Sequence, residues 1–141
     1  MKEAVLKFLK EKPEKFCVLA TASKNGKTES AVLAYAIKDD FAILLSTHKE
    51  SRKTQNILEN NQVSLVIGWS FTDPYVQCDG IATIVENNDE SYQSDDQFFF
   101  SINPHAAQFK TPDTIFIAVK PTWIRFTDFS SSPPKVEEIN L

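Results

Sequence analysis

The sequence predicts a mainly β protein, an antiparallel barrel with a few short helices, and three observations carry that prediction. About six or seven apolar or alternating runs of strand length follow one another, separated by short turn signals. Segments of helix-forming composition are few and short. A chain of 141 residues, 42% hydrophobic and 24% charged, fits one globular domain spanning 1–141 and can bury a core without disulfide staples. Closing so many strands into a barrel removes exposed edges.

Residues 2–11 (KEAVLKFLKE) place Val5, Leu6, Phe8 and Leu9 near helical spacing, and Pro13 limits the short amphipathic helix they form. Residues 16–22 (FCVLATA) read as a strand. Lys24-Asn25-Gly26-Lys27 is a hairpin turn, because Asn-Gly tolerates the positive φ angles such turns need. The returning strand covers 28–38, Asp39-Asp40 marks the next turn, and 41–47 (FAILLST) is the third strand. Residues 50–60 carry only Ile57 and Leu58 as apolar groups among good helix formers, which predicts a short helix. Residues 63–69 form a buried strand. Residues 75–86 alternate loosely around Gly80, as a bent or bulged strand does. Residues 89–101 are helical by composition. Residues 114–129 make a long strand or a strand pair, in which Pro121 belongs at a bulge or an edge because it cannot donate to a central ladder. Residues 136–139 add a final short strand.

Composition narrows the function. A net charge of −4 argues against nucleic acid as a partner, since phosphate backbones call for a basic face. Cys17 and Cys78 stand far apart in strand-like runs, and His48 and His105 are isolated. A metal site needs more ligands at close spacing, so the cysteines read as buried free thiols. The chain opens without a long apolar stretch, which predicts no secretory leader, no membrane span and a cytoplasmic protein.

Chemistry is concentrated in Leu45-Ser46-Thr47-His48-Lys49-Glu50-Ser51-Arg52-Lys53. A strand ends in hydroxyls and a helix opens on Ser-Arg-Lys. First-turn amides lack intrahelical partners and carry a partial positive charge. A serine hydroxyl, a guanidinium and an ammonium added there suit a phosphate group. Arg52 can grip two oxygens, while Lys53 supplies a point charge. The same residues also fit a solvated helix start paired with Glu50 or Glu59.

In context, this segment resembles the pyridoxamine 5′-phosphate oxidase superfamily. The matching positions are Thr47, Ser51-Arg52-Lys53, Glu59-Asn60-Asn61, Val63-Ser64-Leu65, Trp69 and Gly80, with Leu19-Ala20-Thr21 ahead of a glycine-containing turn. The likeness is closest over 15–86. Beyond that it rests on Asn103-Pro104-His105 and residues 121–126. The resemblance implies an FMN-binding split barrel with Greek-key antiparallel strands, a homodimer with FMN at the subunit interface, and a small-molecule substrate. It also implies that Ser51, Arg52 and Lys53 hold the FMN phosphate, with Ser46 and Thr47 assisting. The flavin ring would lie along the second strand, Ala31 to Ala34, against Val32, Leu33 and Ala34. The partner's wall of the pocket would be Trp69, Tyr75, Trp123 and Arg125.

Departures from the family pattern bear on the substrate. The family's second-strand Arg and Lys are replaced by a neutral run from Ser30 to Tyr35, its flavin-contacting Gln falls at Tyr75, and its C-terminal Arg-x-His is absent before Leu141. These losses imply a substrate less anionic than pyridoxamine phosphate. The expected function is an FMN-dependent oxidoreductase acting on an unknown small molecule, with the redox chemistry carried by the cofactor. The alternatives are a non-enzymatic flavin-binding or sensor module, and a haem- or deazaflavin-binding relative.

Four further features carry functional and structural readings. Phe98-Phe99-Phe100 cannot all face one side, and fits a pocket cap, a dimer contact or core packing. Trp123 and Arg125 share a strand face, and Arg125 suits either a ligand anion or a cross-strand acid. His105, in a loop after Pro104, is a candidate for proton transfer. Asp95-Asp96 and Glu137-Glu138 read as solvated faces rather than acid–base pairs.

Overall fold

The computed structural model describes residues 1–141 and joins all seven strands in one antiparallel sheet. In chain order the elements are α1 (Lys2–Glu11), β1 (Phe16–Ala22), β2 (Thr28–Ile37), β3 (Ile43–His48), α2 (Arg52–Glu59), β4 (Gln62–Ile67) and β5 (Tyr75–Val85). Then come α3 (Tyr92–Ile102), a 3-10 helix (Pro104–Phe109), β6 (Thr114–Asp128) and β7 (Lys135–Asn140). Strand order is β3-β2-β1-β4-β5-β6-β7, and β3 also pairs with β6 from Ile43↔Val119 to His48↔Thr114. That pairing closes six strands into a barrel and leaves β7 outside, on β6 alone. β1, β2 and β3 form a meander, and β4 returns through α2 to lie beside β1 at Leu19↔Leu65. This is a Greek key, and the expected fold class is the observed one. No helix is long and apolar enough to cross a membrane.

Period-2 alternation fills the barrel. Cys17 and Leu19 of β1, Tyr35 and Ile37 of β2, Leu65 and Ile67 of β4 and Val76 and Cys78 of β5 belong to one buried cluster. β3 is covered on both faces. Ile43 and Leu45 join that cluster, while Leu44 packs outward with Phe99 of α3 and Phe116 of β6. Double coverage explains why the chain reads there as a continuous apolar run. α1 adds Val5 and Leu9 to the core, and its Phe8 meets Phe126 edge-on at 5.4 Å. The Tyr35 hydroxyl donates to the Leu9 carbonyl at 2.7 Å, which satisfies the polar atom that this buried ring carries inward. Both cysteines are free and buried, and burial pushes each thiol up to about 12.

The expected bulge lies in β5, where the register shifts between Asp79 and Gly80. A Cβ on Gly80 would stand 2.6 Å from Val119 Cγ1, so only glycine fits. Pro121 sits opposite Gly80. On the other side of β6 the ladder passes there from β3, ending at Val119, to β7, beginning at Trp123. A residue without an N–H is tolerated in such a gap.

Several local expectations are corrected. The third strand starts at Ile43 rather than 41, because Phe41 occupies the turn at φ 71°. The Lys38 amide donates to Ala42 O at 2.8 Å and the Phe41 amide to Lys38 O at 3.0 Å. Burial of the Phe41 ring, 6% exposed, offsets the cost of left-handed backbone at a bulky residue. The first hairpin has the same bond pattern, Ser23 to Lys27 and Gly26 to Ser23, both at 2.9 Å. The expected hairpin turn is there, a three-residue loop in which Gly26 carries the positive φ, 84°. Asp95 is not solvated: α3 lays it against the turn after β2, where Lys38 donates to it at 3.0 Å. The segment around His105 is the 3-10 helix rather than a loop.

Candidate functional site

α2 begins where the apolar run of β3 gives way to hydroxyls. Ser51 is its N-cap, with extended backbone (φ −70°, ψ 153°) and an Oγ that accepts from the Thr54 amide at 3.4 Å. That Oγ also lies 2.9 Å from Thr54 Oγ1 and 3.3 Å from Thr47 Oγ1, and Thr54 Oγ1 donates to the His48 carbonyl at 3.0 Å. Thr47 and Ser51 therefore belong to a hydroxyl chain that locks the strand end to the helix start. The first intrahelical bond runs from the Gln55 amide to Ser51 O at 3.2 Å. The amides of Arg52 and Lys53 precede it and are left for solvent or a ligand.

The two cations of this turn diverge. Arg52 turns outward, 82% exposed, and its Nη1 donates to Glu29 Oε1 of β2 at 2.8 Å. The carboxylate it finds is neither Glu50 nor Glu59; the latter accepts instead from the Lys24 amide at 3.3 Å. Lys53 turns inward and is half-buried. It makes no ion pair, and burial alone holds its ammonium below the usual lysine range.

Lys53 opens onto a cavity of about 730 Å³ that also brings together Val32, Leu33 and Ala34 of β2 with Ser46, Thr47 and His48 of β3. Six of the residues expected to hold FMN thus share one space. Arg52 is not among them. It lines an adjoining space of about 400 Å³ with Glu29, Ser30, Ala31 and Lys53, so Lys53 is the cation common to both. Ser51 lines neither; its hydroxyl is engaged in capping.

The far wall of the large cavity comes from α3 and the 3-10 helix, with Phe99, Ile102, Asn103, His105 and Phe109, while residues 13–16 close one end. Sequence reasoning did not assign this wall to the site. Its signals were the Asn103-Pro104-His105 likeness, the pocket-cap reading of Phe98-Phe99-Phe100 and the proton-transfer reading of His105. Asn103 Nδ2 donates to the Tyr35 carbonyl at 2.9 Å and so pins the end of α3 to β2. His105 faces the cavity, as a proton-transfer group would need to.

The expected partner-wall residues lie elsewhere. Trp69 is exposed on the β4–β5 connection, Tyr75 stacks on Phe129 at 6.0 Å, and Trp123 is half-buried on β6. Arg125 sits opposite Glu138 in the β6–β7 ladder, with Nε 3.9 Å from Oε1. None of the four lines the cavity of its own chain. The three phenylalanines divide their work. Phe99 is fully buried against Phe116 at 5.7 Å, Phe100 lies under Lys110 Nζ at 5.2 Å, and Phe98 lies under Lys38 Nζ at 5.8 Å. Core packing is the reading that holds for Phe99, which is also part of the cavity wall.

A match to the pyridoxamine 5′-phosphate oxidase family spans residues 1–128, and the chain belongs to that family. Dihydrophenazinedicarboxylate synthase of Burkholderia lata is 31% identical over 75 residues, 53% of this chain and 35% of that protein. The chain aligns with about a third of the length of its curated relatives. General stress protein 26 of Bacillus anthracis str. Sterne superposes with a TM-score of 0.74 at 21% identity, over 99% of this chain and 98% of that one. A pyridoxamine 5′-phosphate oxidase-related, FMN-binding protein of Nostoc punctiforme gives 0.68 at 12% identity, over 90% and 87%. Likeness at these identities establishes the fold; activity is a matter of the site.

Proposed function

We propose that the chain binds FMN as a homodimer and acts as a flavin-dependent oxidoreductase on a small molecule other than pyridoxamine phosphate. The observation that carries this reading is Lys53, a half-buried ammonium without a protein partner. It stands at the first turn of α2 and opens on the same cavity as Val32, Leu33 and Ala34. Burying a cation without a counter-ion is unfavourable, and a bound anion relieves it. The amides of Arg52 and Lys53 stand ready beside it for phosphate oxygens.

Bound FMN would supply hydride or electron transfer at its ring. The chain's own residues would hold the tail at Lys53, lay the ring along β2, and keep water away with Phe99, Ile102 and Phe109. Apolar surface around the cavity mouth, with Val32 67% and Phe109 70% exposed, is what a second copy would cover. Trp69, Tyr75, Trp123 and Arg125, placed off the cavity, are the groups that copy would bring. The neutral run from Ser30 to Ala34 on β2 supports a substrate without a strongly anionic group near the ring.

The test is the spectrum of the purified protein with added FMN, its mass by light scattering, and the double substitution Arg52→Ala with Lys53→Ala. Flavin absorbance and a dimer mass are expected, with the double variant losing FMN while remaining a folded dimer. Unchanged FMN affinity in that variant overturns the site, and a monomer mass overturns the shared pocket. Turnover of reduced nicotinamide separates an enzyme from a flavin carrier. A Soret band in place of flavin bands moves the reading to haem, for which His48 and His105, both on the cavity wall, are the available imidazoles.

A further inference from the structure

We infer that Glu29 is a built-in competitor for the cofactor's phosphate, which makes FMN an exchangeable ligand of this protein rather than a permanently held group; the inference rests on the flavin reading above. Glu29 faces α2 from β2, and both of its oxygens are engaged. Oε1 accepts from Arg52 Nη1 at 2.8 Å and Oε2 from Asn56 Nδ2 at 3.4 Å. Asn56 is fixed in turn by donating to Thr21 Oγ1 at 3.0 Å, and Thr21 is the cross-strand neighbour of Glu29. Arg52 and Asn56 stand four residues apart and share one face of α2. The Glu29 side chain is only 24% exposed, so the acid is the anchored partner and the exposed guanidinium the movable one.

Glu29, Arg52 and Lys53 line the same space of about 400 Å³ beside the helix start. A phosphate monoester brings a charge of about −1.5 to −2 at neutral pH. It would meet two cations and one carboxylate. To grip it, Arg52 must leave Glu29, and the acid, still tied to Asn56, repels the incoming oxygens. Arg52 therefore exchanges one anion for another, with little net gain. Lys53, which has no carboxylate to give up, supplies the attraction. When Glu29 recaptures Arg52, the phosphate loses half its cationic grip and leaves.

The test is FMN affinity and release rate, followed by flavin fluorescence, for the wild type, Glu29→Gln, Arg52→Ala and the double variant. Riboflavin, which lacks the phosphate, is titrated in parallel. Glutamine keeps a hydrogen-bonding group at position 29, so the contact between β2 and α2 survives. Glu29→Gln is expected to tighten FMN about tenfold, about 1.4 kcal/mol, chiefly by slowing release, and to leave riboflavin unchanged. Arg52→Ala is expected to cost about threefold in the wild type and about tenfold in the Glu29→Gln background, the signature of two coupled groups. Equal costs in both backgrounds, or riboflavin tightening as much as FMN, overturn the proposal and leave the flavin reading standing. Saturable FMN binding by none of the four proteins overturns both.

Discussion

The two sides of the large cavity are built differently. On one side, β2, β3 and the start of α2 are held by strand ladders and by the hydroxyl chain through Thr47, Ser51 and Thr54. They present one unpaired cation, Lys53, and free amides. On the other side, α3 and the 3-10 helix present Ile102, Ala106 and Phe109 together with the neutral polar groups of His105 and Gln108, and are pinned to β2 by the bond from Asn103 to Tyr35. A preorganised wall with an unpaired cation can select a ligand by charge, whereas a more apolar one mainly fits its bulk and excludes water. The difference separates recognition from coverage, and it can be broken experimentally.

The largest effect is expected at Lys53. Hydrogen bonds to charged groups contribute about 1.5–3 kcal/mol, so Lys53→Ala should weaken FMN by about 100-fold in a fluorescence titration, with little change in melting temperature. Burial lowers the pKa of the free ammonium. Wild-type affinity should therefore fall on raising the pH before an ordinary lysine would lose its proton. Asn103→Ala comes next. It should cost about 1 kcal/mol of stability in urea unfolding, because the Tyr35 carbonyl loses its side-chain donor, and should weaken FMN by less than about tenfold. A larger loss of FMN there than at Lys53 would reverse the roles of the two walls. The smallest effect is expected from Arg52→Ala, about threefold, since Arg52 must give up Glu29 to reach the phosphate and an exposed ion pair contributes only about 0.2–1 kcal/mol.

The polar wall was legible in the sequence because its parts are contiguous. A strand ending in Ser46-Thr47 and a helix opening on Ser51-Arg52-Lys53 define a socket within eight residues. The opposite wall was only hinted at, by the pocket-cap reading of Phe98-Phe99-Phe100 and by His105, because Phe99, Ile102 and Phe109 meet β2 only in the folded chain, some 70 residues along the sequence. Partners distant in sequence were the common source of error. Glu50 and Glu59 were the acids near Arg52 in the chain, but the first hairpin carries Glu29 to α2 instead. Asp95 looked solvated beside Asp96, until α3 brought it to Lys38. Phe41 carried no local signal at all, since a bulky residue enters the left-handed region only when tertiary burial holds it there. The barrel itself was readable because alternation and turn chemistry repeat along the whole chain.

Cys17 and Cys78 give this barrel an alkaline weakness and a means of watching it. Each thiol is raised from an ordinary 9.0 to about 12 in the fold, so above about pH 9 the unfolded chain sheds these protons while the native one retains them. Stability should then decline by about 1.4 kcal/mol per pH unit for each thiol until the native groups ionise, and below that window neither contributes. Tyr35, raised by the same burial, acts in the same direction. An alkylating reagent reaches either sulfur only in molecules whose walls have parted, so its rate of uptake reports how often the barrel breathes.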